Sequence, residues 1–172
     1  MNIFFLSADP IKAAKMSCDR HSIKMILESA QMLCTNLRLH GYDGEEYIYG
    51  LTHAKHPSTI WTGKTLANFN WVLTHAFGLC KEYTQRYGKI HKSEAILELC
   101  ASLSQRYIPI GSLTVPPKCM GDKYKIGQTT WEDVVSSYRN YYRNGKSYMN
   151  KGNGPQWNKI PSRKPKWFNT NN

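Results

Sequence analysis

The chain has 172 residues, 41% of them hydrophobic, which is enough for one compact core and too little for two independent domains. Lys and Arg number 23 against 12 Asp and Glu, a formal charge of +11 that attracts polyanions. No apolar run approaches the length of a membrane span, and residues 1–10 lack a charged n-region and a small-residue cleavage site. The expectation is a protein with no membrane partner, in the cytoplasm.

Five cysteines, with no CxxC pair, suggest neither a disulfide framework nor a zinc finger, and Cys34, Cys80 and Cys100 fall where helical patterns place core residues. Residues 3–6 read as a short buried strand or extended piece. Asp9 then fits an N-cap with Pro10 at the first helical position of a short helix ending at Met16. From Ser22, Ile23, Ile26, Leu27, Ala30, Leu33, Cys34 and Leu37 recur at three and four, predicting one face of a helix closed by Gly41. Another face of that helix carries His21, Lys24, Glu28 and Gln31, either as a solvated surface or as part of a site.

Residues 41–56 mix glycine, aromatic and charged residues without a period and predict a loop, followed by a helical turn in HPSTIW. A long helix over 65–87 has Leu66, Phe69, Leu73, Ala76, Phe77, Cys80 and Tyr87 on its core side, with Gly88 as its stop. Asn68, Trp71, His75, Glu82 and Arg86 line its other side. Ser93 caps a helix over 94–106, and the proline- and glycine-rich stretch 107–128 predicts a long loop. Thr129 with Glu132 fits a capping box, so the last helix is expected over 130–143. The fold class expected is mainly α: a single-domain helical bundle over 1–150, with long loops and a basic aromatic tail over 151–172.

Thr62, Gly63, Lys64 and Thr65 resemble part of a phosphate loop, but the first glycine and a preceding strand are missing. GxGxxG, GxSxG and HExxH are absent, so no cofactor and no metal is expected.

Two stretches carry the functional signal. CDRHSIKM places Arg20, His21 and Lys24 at the start of a helix, where basic side chains beside free backbone N–H groups favour an anion. YRNYYRNGK alternates Tyr138, Tyr141 and Tyr142 with Arg139, Arg143 and Lys146, pairing stacking rings with phosphate-binding cations. No acidic residue follows Asp133, whereas eight basic ones do. The partner expected is nucleic acid or a phosphorylated nucleotide.

SCDRHSIKM and SYRNYYRNGK resemble the two ends of the phage pyrimidine-dimer DNA glycosylase family, small helical repair enzymes with an Arg-rich, Glu-containing N-terminal motif and a WYKYYGK-like C-terminal one. The resemblance covers about a third of the chain and implies a phage protein acting in a host cytoplasm on a damaged or modified base. It implies that an N-terminal amine, here that of Met1, forms an imine with the sugar C1′, followed by β-elimination, with an unperturbed α-amine pKa of about 7.7–8.0 leaving a reactive neutral fraction. In that alignment His21 stands where the family has its catalytic glutamate and Lys24 where it has an arginine, and Glu28, one turn on, is a second source of a carboxylate. Arg20, Lys24, Arg139, Arg143 and Lys146 then grip phosphates, and Trp71, Tyr138, Tyr141 and Tyr142 offer stacking surfaces for a flipped base. The alternative is a catalytically inactive protein of this fold that sequesters a small phosphorylated signalling nucleotide or binds nucleic acid passively.

Overall fold

A computed structural model describes residues 2–169. It is mainly helical, with no strand among the described residues. Residues 3–6 are extended and buried, and Asp9 caps α1 (Pro10–Met16) by accepting the Ile11 and Lys12 amides at 2.9 and 3.0 Å. Then come α2 (Asp19–Leu39), α3 (Pro57–Lys64), α4 (Leu66–Tyr87), α5 (Glu94–Tyr107) and α6 (Trp131–Asn140). None of these helices is long and apolar enough to cross a membrane.

The hub is α4, packed by α1, α2, α3 and α5. Being enclosed, it buries both of its sides: Asn68, Trp71, His75, Glu82 and Arg86 are as hidden as Phe69, Val72, Ala76 and Leu79. At Gly78 an added Cβ would lie 2.8 Å from the Ala14 methyl, so glycine is what lets α1 approach. Gly88 ends the helix in the left-handed region at φ 65°.

The buried face of α2 keeps Ile26, Ala30, Leu33, Cys34 and Leu37 of the expected stripe and departs from it at two positions. Ile23 and Leu27 are 39% and 40% exposed, while Met25, Ile26, Ser29, Ala30, Met32 and Leu33 face inward, their small members admitting the neighbouring helices. Each large apolar side chain so buried contributes about 1.5–3 kcal/mol. The helix begins at Asp19 and ends with His40 as C-cap, Gly41 following at φ 93°.

The capping box of α6 lies one residue later than expected. Thr130 Oγ1 accepts the Asp133 amide at 3.1 Å, and the Asp133 carboxylate accepts the Thr130 amide at 3.4 Å. Ser93 makes no side-chain cap; its hydroxyl meets that of Tyr49 at 3.0 Å instead. After Asn140 the helix widens into a π turn, Tyr141–Gly145.

From 151 to 169 the tail packs on the helices. Trp157 is buried and donates its indole N–H to the Met16 carbonyl at 3.0 Å. Arg163 pairs with Glu82 at 3.0 Å, and the Lys159 amide reaches Asp19 at 3.1 Å.

Candidate functional site

A cleft of about 320 Å³ opens where the two functional stretches meet. One wall is the N-terminal half of α2, with Arg20, His21, Lys24, Met25 and Glu28; the opposite wall is the π turn and the residues just beyond it, with Tyr141, Lys146, Tyr148 and Met149. Asn2 and Phe4 of the extended segment lie between them, and His56 and Cys119 close the far end. Residues more than a hundred positions apart are thus gathered around one opening.

The widening of the last helix separates its tyrosines. Tyr141 turns to the cleft, while Tyr138 and Tyr142 are fully buried. The Tyr138 hydroxyl accepts the Cys119 amide at 3.1 Å and donates to Asn2 Oδ1 at 3.2 Å, so this buried ring anchors the extended segment to the 107–128 loop and does not line the cleft. Trp71 is also a core residue: it packs against Phe5, Trp61, Trp131 and His75 and donates to the Ala8 carbonyl at 2.8 Å. Of the four stacking candidates, Tyr141 alone lines the cleft, joined by Phe4 and Tyr148, which the sequence did not single out.

The cations divide in the same way. Lys146 Nζ lies 4.7, 5.4 and 5.6 Å from the ring centres of Tyr141, Phe4 and Tyr148, within cation–π range. Arg20, Lys24 and Lys146 line the cleft, but Arg139 and Arg143 do not. Arg139 donates to the Leu6 carbonyl at 3.0 Å and lies over the Trp167 ring, and Arg143 donates to the Trp167 carbonyl at 2.9 Å. Both fasten the tail and the extended segment, because carbonyls left without helical partners need donors. The first turn of α2 is likewise closed as an anion pocket: the Asp19 amide donates to the Gln156 carbonyl at 2.9 Å, and the Asp19 carboxylate sits beside it.

Glu28 is buried and, among the described residues, is the one carboxylate lining the cleft. Its Oε2 accepts the Asn2 amide at 3.0 Å, and its Oε1 pairs with Lys24 at 2.9 Å. Asn2 is held further by its side-chain amide, which donates to the Cys119 carbonyl at 2.9 Å. Met1 lies outside the described residues.

His21 is 6% exposed and stacks on Phe4, with ring centres 4.3 Å apart. Its Nδ1 is 2.7 Å from the Tyr142 hydroxyl. Burial, and after it the charges of Lys146, Lys24 and Arg20, push its pKa down to about 3, so the ring is neutral at physiological pH. His56, at the far end, is also held below its ordinary value by burial. No group of three His, Cys, Asp or Glu is placed to hold a metal among the described residues.

The signal that would have found Phe4 and Asn2 is weak, since burial alone looks like core; Tyr148 was legible as the next aromatic past Lys146. No family model, curated protein or solved structure matches this chain.

Proposed function

We propose that this cleft binds a nucleotide unit of DNA and acts on it as a glycosylase with AP-lyase chemistry, Glu28 taking the part of the carboxylate. The observation that carries the reading is the Glu28 side chain, held 3.0 Å from the Asn2 amide in the same cleft as Arg20, Lys24 and Lys146. A carboxylate there can stabilise the positive charge that develops on the sugar, which neutral His21 cannot. In the proposed reaction the Met1 amine forms a bond to C1′ as the C1′–base bond breaks. Ring opening then gives the imine, and loss of a C2′ proton expels the 3′ phosphate by β-elimination. Arg20, Lys24 and Lys146 neutralise phosphate, while Phe4, Tyr141 and Tyr148 face the sugar or base.

The test is borohydride trapping on duplex containing an abasic site, comparing the native chain, an N-terminally blocked form and Glu28→Gln. The expected result is a covalent adduct with the native chain, none with the blocked form and a strongly reduced yield with Glu28→Gln. No adduct from well-folded native protein removes the imine mechanism.

One observation favours a second reading, passive binding or sequestration of a small phosphorylated nucleotide. Arg139, Arg143 and Arg163 are engaged within the fold, so the cleft's own cations among the described residues are Arg20, Lys24 and Lys146, a set suited to a compact ligand. Nucleoside phosphates that raise the melting temperature more than duplex does, with no trapped adduct, would establish it.

A further inference from the structure

His21 is nine-tenths buried yet borders the cleft, and the hydrogen bonding around it fixes which nitrogen carries the proton. The Tyr142 hydroxyl receives the Cys18 backbone N–H at 3.0 Å, a group that can only donate. Its single hydrogen is therefore left for another acceptor. Two face it: His21 Nδ1 at 2.7 Å and the Cys18 thiol, whose sulfur is a weak acceptor. Burial holds the Tyr142 phenol well above its ordinary pKa, so that hydrogen stays in place. With Nδ1 accepting from Tyr142, the proton of a neutral imidazole sits on Nε2. Nε2 has no hydrogen-bond partner among the described residues, although the ring is otherwise enclosed by Phe4, Tyr142 and the first turns of α2.

We infer that His21 is a ligand-reading residue: its Nε2–H, aimed into the cleft and fixed by the Tyr142 hydroxyl, donates to a phosphate oxygen of the bound ligand. The surrounding charge selects that class of acceptor, because Arg20 and Lys24 from α2 and Lys146 from beyond the π turn all act on the same ring. Against them stands one carboxylate of the cleft, Glu28, which pairs with Lys24 at 2.9 Å, so the balance at the ring is still cationic and an anionic oxygen gains from it and from the neutral donor. Burial first, and then the same cations, oppose charging of the imidazole, so the donor persists across the physiological range, where a free histidine would be half charged near 6.5. The groups facing the ring are the Cys18 thiol, Arg20 and Lys24 on α2, the Tyr142 phenol, and Lys146. The inference rests on the cleft taking a phosphorylated ligand, not on imine chemistry.

The experiment is long-range proton–nitrogen NMR on protein labelled with ¹⁵N-histidine, first alone and then with inorganic phosphate and with a short duplex carrying a tetrahydrofuran abasic analogue. The expected result is one Nε2–H tautomer for His21, no titration near 6.5, and movement of its Nε2 signal with phosphate or duplex. His21→Phe keeps the ring stacking and loses the donor, with an expected loss of phosphate affinity of about tenfold or more. Tyr142→Phe removes the hydroxyl that fixes the tautomer and should give mixed tautomers in a folded protein. An Nδ1–H tautomer, charging near 6.5, an Nε2 signal unmoved by either probe, or unchanged affinity in His21→Phe would overturn the inference. A moved signal without a trapped adduct removes the glycosylase reading and leaves this one standing; a trapped adduct with an unmoved ring does the reverse.

Discussion

Arg86 holds the corner from which the cleft's main wall starts, and its replacement makes a quantitative test. Its side chain is fully buried; Nη2 pairs with Glu82 at 3.0 Å, and Nη1 meets the Ser17 carbonyl at 2.8 Å and Asp19 at 3.3 Å. Glu82 is itself 2% exposed and keeps only Arg163 when Arg86 is removed. Breaking one side of such a buried pair costs about 3–5 kcal/mol, because the remaining charge stays in a poor solvent. Arg86→Met is therefore expected to lose that much in urea unfolding followed by circular dichroism. At about 2–4 °C per kcal/mol for a chain of this size, the melting temperature should fall by about 6–20 °C. Adding Glu82→Leu removes the stranded carboxylate, and Arg163, which is partly exposed, can be hydrated, so the double variant should recover much of the loss. A single variant within about 1 kcal/mol of the parent, or a double variant less stable than the single, would refute the reasoning.

Stability should also depend on pH through His75, which is fully buried with neither ring nitrogen partnered among the described residues, and which burial alone pushes down to about 4. The unfolded chain then binds the proton more tightly, so this contribution is full above about 6.5 and is lost as pH falls toward 4, on the order of 3 kcal/mol in all. His75→Phe should flatten that part of the stability profile, and an unchanged slope would count against it. Gly145→Ala drives a Cβ into the Tyr141 ring; it should displace Tyr141 and weaken ligand binding several-fold in a titration, while Gly50→Ala, with nothing near its Cβ, should not. Lys24→Ala should weaken binding of duplexes of any sequence and lower the slope of log affinity against log salt by about one; a sequence-dependent loss would contradict its placement as a phosphate ligand.

The sequence carried the helical skeleton well because its signals were local. Asp9 with Pro10, Gly88, and the repeat through α4 each specify a boundary or a face within a few residues. What it could not carry was set by distant packing. The α2 repeat counted Ile23 and Leu27 as core, yet the helices contact its small-residue side, and that choice is made by neighbours. Trp71 and Tyr142 have the chemistry of stacking platforms; only the enclosure of α4 and the wider turn after Asn140 show that their polar atoms are used inside the fold. Glu28 looked like the partner of Lys24 on a solvated face, and it is that partner, but the extended segment arriving from the chain's start covers it and supplies the Asn2 amide. The two stretches singled out for function do meet, through Arg20, His21, Lys24, Tyr141 and Lys146, while Arg139 and Arg143 turn away to carbonyls of the segment and the tail.

The proposed function stands on covalent chemistry taking place beside Glu28, at the start of the chain. To test it, the complex with abasic-site DNA is reduced and digested, and the modified residue is located by mass spectrometry. The expected product is a reduced sugar adduct on the N-terminal peptide alone. An adduct on Lys146 or another lysine, or no adduct at all, would contradict the proposal.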